Sequence, residues 1–385
     1  MIRIALRVMA GACALSASFA VAATSAPVAF VYVTSNYSGA NNRVVGYAAT
    51  ADGQLAQIAG SPWADNLVSM AVNGTYLFGS DNVAGDYGRN IYSYRIESNG
   101  VLQYIGATNI QKTATENECN SGGGLYLDHT GSYLYSFVVE VNCNSEAAFQ
   151  SFAVNKSTGV LNYLGDTSPN VFTLGPPLTV AADNKYAYAA GGNGSYSALS
   201  GFQIQPNGNL SDLASSGNYP FPPGQPSDAF GYTEEATADT TNHFAVNLYY
   251  VTDSGNSDKI ATYAINTTTG NLTTSSTYSN MPTTEVGEAT WQMMAPSGKL
   301  LAVAGPNGLQ IFNFNPNGQA TASTGLISHS PITMCYWDNN NHLYAISNAD
   351  GTIQAFTVTP TSATEVRGSP WYLPHPVSMI VQPKE

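Results

Sequence analysis

A small set of ionisable residues in this sequence could carry out chemistry together. Carboxylates and imidazoles can activate a water molecule as general bases, and guanidinium groups can donate hydrogen bonds to an oxyanion. The same carboxylates and imidazoles could instead hold a divalent cation. Taken singly, each can equally be a solvated surface group of an acidic protein, so the fold must bring them together. The candidates are Glu234, Glu288, His329, His375, Arg43 and Arg89.

The elements that would position these residues repeat along the chain about every 50 residues. A strand containing an aromatic residue, such as residues 91–94 or 260–263, recurs seven times, and a Gly turn follows it in six copies. An apolar strand such as residues 32–36 precedes each copy, and a further apolar strand leads into that one. Strand, Gly turn and strand make a hairpin. Each unit therefore predicts a blade of four antiparallel strands.

The two ends of the chain predict how the blades close. The repeats start with the second strand of a unit, residues 30–34, and end with a first strand, residues 377–381. Val-Ser-Met occurs at 68–70 and 377–379, and Gly-Ser-Pro-Trp occurs at 60–63 and 368–371. We therefore predict an all-β, seven-bladed β-propeller, closed by pairing of the N-terminal and C-terminal strands in one blade. Such closure removes exposed sheet edges.

Composition supports strands and limits the partners. Only 10% of the 385 residues are charged, while Gly (36) and Tyr (24) are abundant, which favours strands and turns over solvated helices. With 12 basic and 25 acidic residues, the net charge is −13. An acidic chain binds nucleic acid and anionic membranes poorly. We expect a monomer that contacts neither.

The first 22 residues predict a signal peptide. Arg3 and Arg7 precede an apolar stretch that ends in Ala20-Val21-Ala22, a small-x-small cleavage pattern. The stretch is shorter than a spanning helix requires. We expect residues 23–385 to form the propeller and to be periplasmic or secreted.

Cysteine spacing agrees with export. A hairpin turning near residues 130–131 would place Cys119 opposite Cys143, within reach of a disulfide. Two free thiols are the alternative, and an oxidising compartment disfavours them. Cys335 lies in an apolar run and is expected to be a buried thiol.

Four segments of this chain resemble a known family: residues 30–36 (Phe-Val-Tyr-Val-Thr-Ser-Asn), the Val-Val-Gly-Tyr strand at 44–47, Asp-Gly-Gln-Leu at 52–55, and Gly-Ser-Pro-Trp at 60–63. Together they are similar to the lactonase-type seven-bladed propellers, which include 6-phosphogluconolactonases and exported YVTN-repeat proteins. The resemblance covers essentially the whole mature chain. It implies a hydrolase of a lactone or similar cyclic ester, with a small lactone or carbohydrate-type ligand.

An alternative function stays open beside that one. Catalytic members of the family tend to open their inner strands with Pro-Arg-His or Pro-His motifs. Here the openings read Gly-Gly-Gly-Leu at 122–125, Pro-Pro-Leu-Thr at 176–179 and Pro-Ile-Thr-Met at 331–334, without Arg or His. The alternative is a non-catalytic binding or scaffold propeller that presents its upper face to a glycan, peptide or protein.

Propeller geometry sorts the candidates between the two faces. Loops that enter the innermost strands lie on the upper face, where ligand sites usually form. The pairs Glu234/Glu235 and Glu285/Glu288 lie at or before the inner strands of blades 5 and 6, and His329 and His375 precede those of blades 7 and 1. Adjacent blades would gather them on one side of the mouth. His129, His243 and His342 fall in lower-face turns, where we expect solvated side chains.

Overall fold

The structure is a computed structural model. It describes residues 26–36, 42–63, 65–81, 90–110, 120–140, 147–168, 178–193, 196–213, 219–226, 230–252, 255–315 and 317–384. Cys119, Cys143, Arg89 and the predicted signal peptide lie outside these ranges. None of the described segments forms a helix of the length and hydrophobicity needed to cross a membrane.

The first half of the chain forms antiparallel sheets in chain order. Blade 1 holds β1 (Ala29–Asn36), β2 (Asn42–Ala49) and β3 (Leu55–Gln57). Blade 2 holds β4 (Leu67–Val72), β5 (Tyr76–Asp81), β6 (Asn90–Ile96) and β7 (Leu102–Asn109). Blade 3 holds β8 (Asn120–Leu127), β9 (Tyr133–Glu140), β10 (Ala147–Val154) and β11 (Leu161–Thr167). Blade 4 holds β12 (Leu178–Val180), β13 (Tyr186–Asn193), β14 (Tyr196–Ile204) and β15 (Leu210–Asp212).

The second half continues the pattern. Blade 5 holds β16 (Phe230–Ala238), β17 (His243–Thr252), β18 (Gly255–Ile265) and β19 (Leu272–Thr273). Blade 6 holds β20 (Trp291–Met294), β21 (Leu300–Gly305), β22 (Gly308–Phe314) and β23 (Ala320–Ser328). Blade 7 holds β24 (Met334–Trp337), β25 (His342–Ser347), β26 (Thr352–Thr359) and β27 (Ser362–Glu365), and β28 (Trp371–Tyr372) also pairs with β26. The last strand is β29 (Pro376–Pro383).

The ring closes as the sequence predicts. Strand β29 pairs antiparallel with β1 as the innermost strand of blade 1, with Val381 opposite Val31 and Met379 opposite Val33. The innermost strands contact one another in the cyclic order β29, β4, β8, β12, β16, β20, β24 and back to β29. The predicted all-β, seven-bladed β-propeller is therefore confirmed.

The second strand of each blade carries much of the core. Every residue of β5, β21 and β25 is buried, because each blade packs against a neighbour on both faces. Such strands become continuously apolar instead of alternating. The outer strand β7 is largely exposed along its length and mixes polar and apolar residues.

A contact between consecutive blades recurs around the ring. At the start of a blade's second strand, an aromatic or imidazole side chain packs on a glycine of positive φ in the hairpin turn of the next blade. A Cβ added at that glycine would collide with the side-chain ring. The six pairs are Phe30–Gly100, Tyr76–Gly159, Tyr133–Gly208, Tyr186–Gly270, His243–Gly318 and His342–Gly53. Blade 6 starts its second strand with Leu300, and the hairpin of blade 7 has Ser362 in place of Gly. An aromatic or imidazole side chain on one blade thus occurs together with a glycine on the next.

One prediction about the lower face is wrong. His342 is buried, and its Nδ1 lies 2.7 Å from Asp338 Oδ2. The expectation of a solvated side chain failed because this imidazole packs on the turn of blade 1 that contains Gly53. His243 is half-buried on the corresponding turn of blade 6, while His129 is exposed.

Candidate functional site

Two glutamates of blade 5 lie at a β-bulge. In the β16–β17 ladder, Thr233 faces Leu248 and Ala236 faces Val246, so Glu234 and Glu235 share one opposing residue, Asn247. A bulge of this kind re-aims side chains locally. Glu234 therefore reaches toward Ala289 at the entry to blade 6.

Glu234 is paired with Asp258 of β18. The backbone N–H of Ala289, at the entry to blade 6, donates to Glu234 Oε2 at 3.1 Å and to Asp258 Oδ2 at 3.0 Å. Asn247 Nδ2 also donates to Asp258 Oδ2, at 3.2 Å. We call Glu234 and Asp258 the carboxyl pair. It joins blades 5 and 6 beneath the upper face.

Burial and mutual repulsion favour the protonated form of this pair. Burial raises the pKa of Glu234 to about 9, and the charges of Asp258 and Glu288 add to the effect. Burial also raises the pKa of Asp258, although hydrogen bonds from Ala289 and Asn247 oppose that shift. Because the two groups interact, the proton belongs to the pair. The pair therefore retains a proton at neutral pH.

Buried acceptors outnumber donors around the pair. Four buried atoms have no hydrogen-bond partner among the described residues: Glu234 Oε1, Asp258 Oδ1, Asn247 Oδ1 and Gln292 Oε1. Buried polar atoms are normally hydrogen-bonded, so an O–H on one carboxyl supplies a donor that this pocket lacks. Within the described part of the chain, no three His, Cys, Asp or Glu side chains converge in a geometry fit for a metal ion.

The structure brings together only part of the predicted set. Glu288 directly precedes Ala289, is exposed, and raises the pKa of both carboxyls of the pair. Glu285 is also exposed, and its backbone N–H donates to Gln310 Oε1 at 2.9 Å. The predicted clustering of Glu234 with Glu288 is thus present at the boundary of blades 5 and 6.

The candidate residues His329, His375 and Arg43 lie elsewhere on the upper face. His329 is exposed between β23 and β24, and His375 is exposed just before β29 with a φ of 44°. Arg43 is exposed on β2, opposite Ser35. Within the described ranges, no hydrogen bond or ion pair joins any of these three side chains to the carboxyl pair. Arg89, as noted above, is not among the described residues.

Sequence reasoning missed Asp258 and Asn247. Asp258 ends a polar segment of the sequence, residues 253–258, yet it is buried in β18. One signal was available, since an acid lies two residues before the apolar and aromatic residues of that strand, at 260–263. Asn247 likewise interrupts the buried strand β17. Buried acids and amides within strands are unusual enough to mark a polar site.

Glu235 interacts electrostatically with residues of other blades. Burial, followed by the charge of Glu234, raises its pKa well above the usual range. Burial also raises the pKa values of Tyr126 and Tyr336, which belong to the inner strands of blades 3 and 7, and the charge of Glu235 adds to both shifts.

The fold and the site define a closed seven-bladed propeller with an acidic pair between two adjacent blades. Three solved structures share this architecture at low sequence identity. A Bacteroides uniformis protein, provisionally named a 6-phosphogluconolactonase, aligns with a TM-score of 0.65 and 14% identity, over 93% of this chain and 100% of its own. A similarly named Bacteroides fragilis protein aligns with a TM-score of 0.63 and 14% identity, over 94% and 99% of the two chains.

The third structure is a periplasmic gluconolactonase from Pseudomonas aeruginosa. It aligns with a TM-score of 0.54 and 15% identity, over 92% of this chain and 85% of its own. No protein-family model matches the sequence, and no curated protein matches it. At these identities the likeness establishes the fold.

Proposed function

We propose that this protein is an exported lactonase-like propeller that hydrolyses a lactone or similar cyclic ester at the carboxyl pair. One observation carries the proposal: Glu234 and Asp258 accept hydrogen bonds from the same N–H of Ala289. Two carboxyls this close share one proton, which provides a base and an acid side by side. The fold likeness to proteins named as lactonases supports the choice of substrate class.

The two carboxyls take different roles in this mechanism. Glu234 is half-buried and Asp258 is buried, so Glu234 is the one that meets the substrate. With the proton of the pair on Asp258, the ionised Glu234 removes a proton from water as the water oxygen attacks the acyl carbon. The acyl–oxygen bond of the ring then breaks, and Glu234 delivers the proton it has taken up to the departing ring oxygen. Asp258 keeps its proton throughout, so the pair ends with one proton, as it began.

A non-catalytic binding or scaffold role is the second candidate, and a specific observation favours it. Lactone hydrolysis benefits from a donor to the oxyanion, which the sequence analysis assigned to Arg43 or Arg89. Arg43 is exposed on blade 1, and no hydrogen bond or ion pair among the described residues joins it to the carboxyl pair of blade 5. In this role the upper face would present acids to a glycan, peptide or protein.

Hydrolysis of a panel of neutral lactones by the purified mature protein, with and without chelator, tests the proposal. We expect Glu234→Gln to lower kcat by about 100-fold or more, the usual contribution of a general acid or base. Glu285→Gln is the matched control, because Glu285 is exposed and its side chain makes no hydrogen bond to any described residue. Equal rates for Glu234→Gln and wild type would refute this site. Absence of hydrolysis across the panel would favour the binding role.

We also propose that the mature protein is periplasmic or secreted and carries a Cys119–Cys143 disulfide. The charged and apolar pattern of residues 1–22 supports export, and the periplasmic gluconolactonase is an exported protein with this fold. Intact mass before and after reduction tests both points. Retention of residues 1–22 after expression with an export pathway, or free thiols at both cysteines, would contradict them.

A further inference from the structure

A buried amide of blade 6 bonds to the bulge of blade 5 that carries Glu234. Gln292, on β20, is 4% exposed. Its Nε2 donates to the Glu235 carbonyl at 3.0 Å and to the Ala245 carbonyl at 2.8 Å. Glu235 lies on β16 and Ala245 lies on β17, so one amide group of the neighbouring blade joins both strands of the bulged ladder.

The bulge itself explains why such a bond is needed. An extra residue in one strand interrupts the ladder of backbone hydrogen bonds locally, and a backbone carbonyl left without a partner inside a protein is costly. Glu234 and Glu235 share Asn247 as their opposing residue, so the Glu235 carbonyl lies at that interruption. The Gln292 amide supplies this carbonyl with a donor and thereby fixes the bulge at these two glutamates.

The partners of the Gln292 amide set its orientation. Both partners are carbonyl oxygens, which only accept hydrogen bonds, so the NH2 group must face them and donates to both. The opposite atom, Oε1, is buried and has no hydrogen-bond partner among the described residues. An apolar side chain of similar length would avoid that unpaired acceptor. The two bonds to the bulged strands are therefore what offsets its cost.

The position of the bulge decides which glutamate reaches the carboxyl pair. Successive side chains of a strand point to opposite faces of the sheet, so a shift of the bulge by one residue would turn Glu234 away from Asp258. The donor that these two carboxyls share is the N–H of Ala289, three residues before Gln292 in blade 6. One short segment of blade 6 thus bonds to both carboxyls and, through Gln292, to the backbone that directs Glu234.

We propose that Gln292 is a positioning residue, which fixes the bulge of blade 5 so that Glu234 and Asp258 meet at the Ala289 N–H. For its effect on hydrolysis, this inference rests on the function proposed above. For the proton that the two carboxyls share it does not, because a shared proton affects folding stability whether or not the site is catalytic. In this role Gln292 acts through Glu234 and not on the substrate.

The pH dependence of stability tests the positioning role without reference to activity. In the wild type we expect the free energy of unfolding to fall as pH rises from about 4.5 to 9, because the pair holds a proton. Gln292→Met keeps the length of the side chain but removes the amide, so the carboxyls separate. We expect this separation to reduce the slope by about half, because the two carboxyls then titrate independently. Urea unfolding across this pH range measures it.

Gln354→Met is the matched control. Gln354 is a buried glutamine on β26 of blade 7, and its Nε2 donates to Ser330 Oγ at 3.0 Å. Removing this amide also breaks a hydrogen bond of a buried side chain, so the variant should be less stable than the wild type. Its slope against pH should equal that of the wild type, because blade 7 does not contribute to the carboxyl pair.

Gln292→Asn provides a second variant if Gln292→Met does not fold. It retains the amide on a side chain one methylene shorter, which should not reach both carbonyls, so the slope should weaken as in Gln292→Met. Glu234→Gln already removes the pair, so adding Gln292→Met to it should leave the remaining slope unchanged. A wild-type slope in a folded Gln292 variant, or an equal weakening in Gln354→Met, would overturn the proposal.

Kinetics test the consequence for catalysis, with a lactone that the panel shows to be hydrolysed. We expect Gln292→Met to lower kcat about tenfold with little change in KM, because the base is displaced from the attacking water while the substrate still binds. The ascending limb of the profile of kcat against pH should move to lower pH, because carboxyls that no longer repel each other ionise more readily. Gln354→Met should change neither quantity.

The two measurements separate failure of this inference from failure of the proposed function. An unchanged kcat and an unchanged pH profile in Gln292→Met would overturn the positioning role in catalysis. If no lactone is hydrolysed but Gln292→Met still weakens the dependence of stability on pH, the positioning of the pair stands and the proposed function fails.

Discussion

Glu234 and Asp258 accept hydrogen bonds from a single backbone N–H, that of Ala289, at 3.1 and 3.0 Å. The carboxyls come from two different strands of blade 5, and the donor comes from the entry to blade 6. This N–H and the amide of Asn247, which donates to Asp258, do not compensate two neighbouring negative charges, so the pair holds a proton. The folded protein carries an electrostatic cost here that the unfolded chain does not have.

This cost predicts an unusual pH dependence of stability. Because folding raises the pKa of Glu234 to about 9, the folded state binds more protons than the unfolded state at intermediate pH. The free energy of unfolding therefore falls as pH rises from about 4.5 to 9. We expect Glu234→Gln to weaken this slope and to stabilise the protein at pH 8 by about 1 kcal/mol, with little change at pH 4. Urea unfolding at both pH values measures this. Glu285→Gln should match the wild type at both, and a slope unchanged in Glu234→Gln would contradict the pairing.

The pair should also show strong coupling between its members. Replacing either carboxyl by its amide removes the repulsion, so the second replacement gains little. We expect the stabilisation in Glu234→Gln/Asp258→Asn at pH 8 to fall short of the sum of the single effects by about 1 kcal/mol, the scale typical of neighbouring residues. A double-mutant cycle from urea unfolding checks this, and additivity would mean that the carboxyls act independently.

The contacts between consecutive blades predict which glycines are essential. Gly208 has a φ of 89°, and an added Cβ would collide with the ring of Tyr133. Gly74 has a φ of 91° but no atom within 4 Å of an added Cβ. We expect Gly74→Ala to destabilise by about 1 kcal/mol from backbone strain alone, and Gly208→Ala by about 3 kcal/mol because overpacking adds to it. Equal losses of unfolding free energy in the two variants, measured by chemical denaturation, would show that the contact between Tyr133 and Gly208 is unimportant.

Closure of the ring by β29 can be tested by removing it. A chain that ends at Leu373 would expose the β1 edge along which Val381 and Met379 pair, and exposed edges promote aggregation. We expect this truncated chain to elute as aggregates in size-exclusion chromatography. A peptide of residues 374–385, added during refolding, should restore the elution volume of the full-length protein. A scrambled peptide should not, and a truncated chain that elutes without aggregates would contradict the role of closure.

Local sequence patterns predicted the blades because each blade repeats the same short patterns. The apolar strands, the Gly turns and the shared Val-Ser-Met and Gly-Ser-Pro-Trp motifs depend on neighbours within a few residues or on the repeat itself. The matching ends of the chain likewise predicted that β29 would complete blade 1, which the pairing of Val381 with Val31 confirms.

No local sequence pattern predicted the carboxyl pair. Whether Glu234 meets Asp258 depends on the register of three strands and on the bulge opposite Asn247. The same holds for His342, whose burial follows from the neighbouring blade and not from its own turn. The separation of His329 and His375 from the pair likewise depends on the paths of the loops before β24 and β29.

By itself the sequence determined the number of blades, their strand order and the means of closure, since periodic apolar strands and Gly turns are local properties that repeat. Only the tertiary structure decided which acids share a donor and which histidine is buried against the neighbouring blade. Those features arise where side chains from different blades converge, and their proximity depends on bulges and sheet packing that leave no periodic trace in the chain.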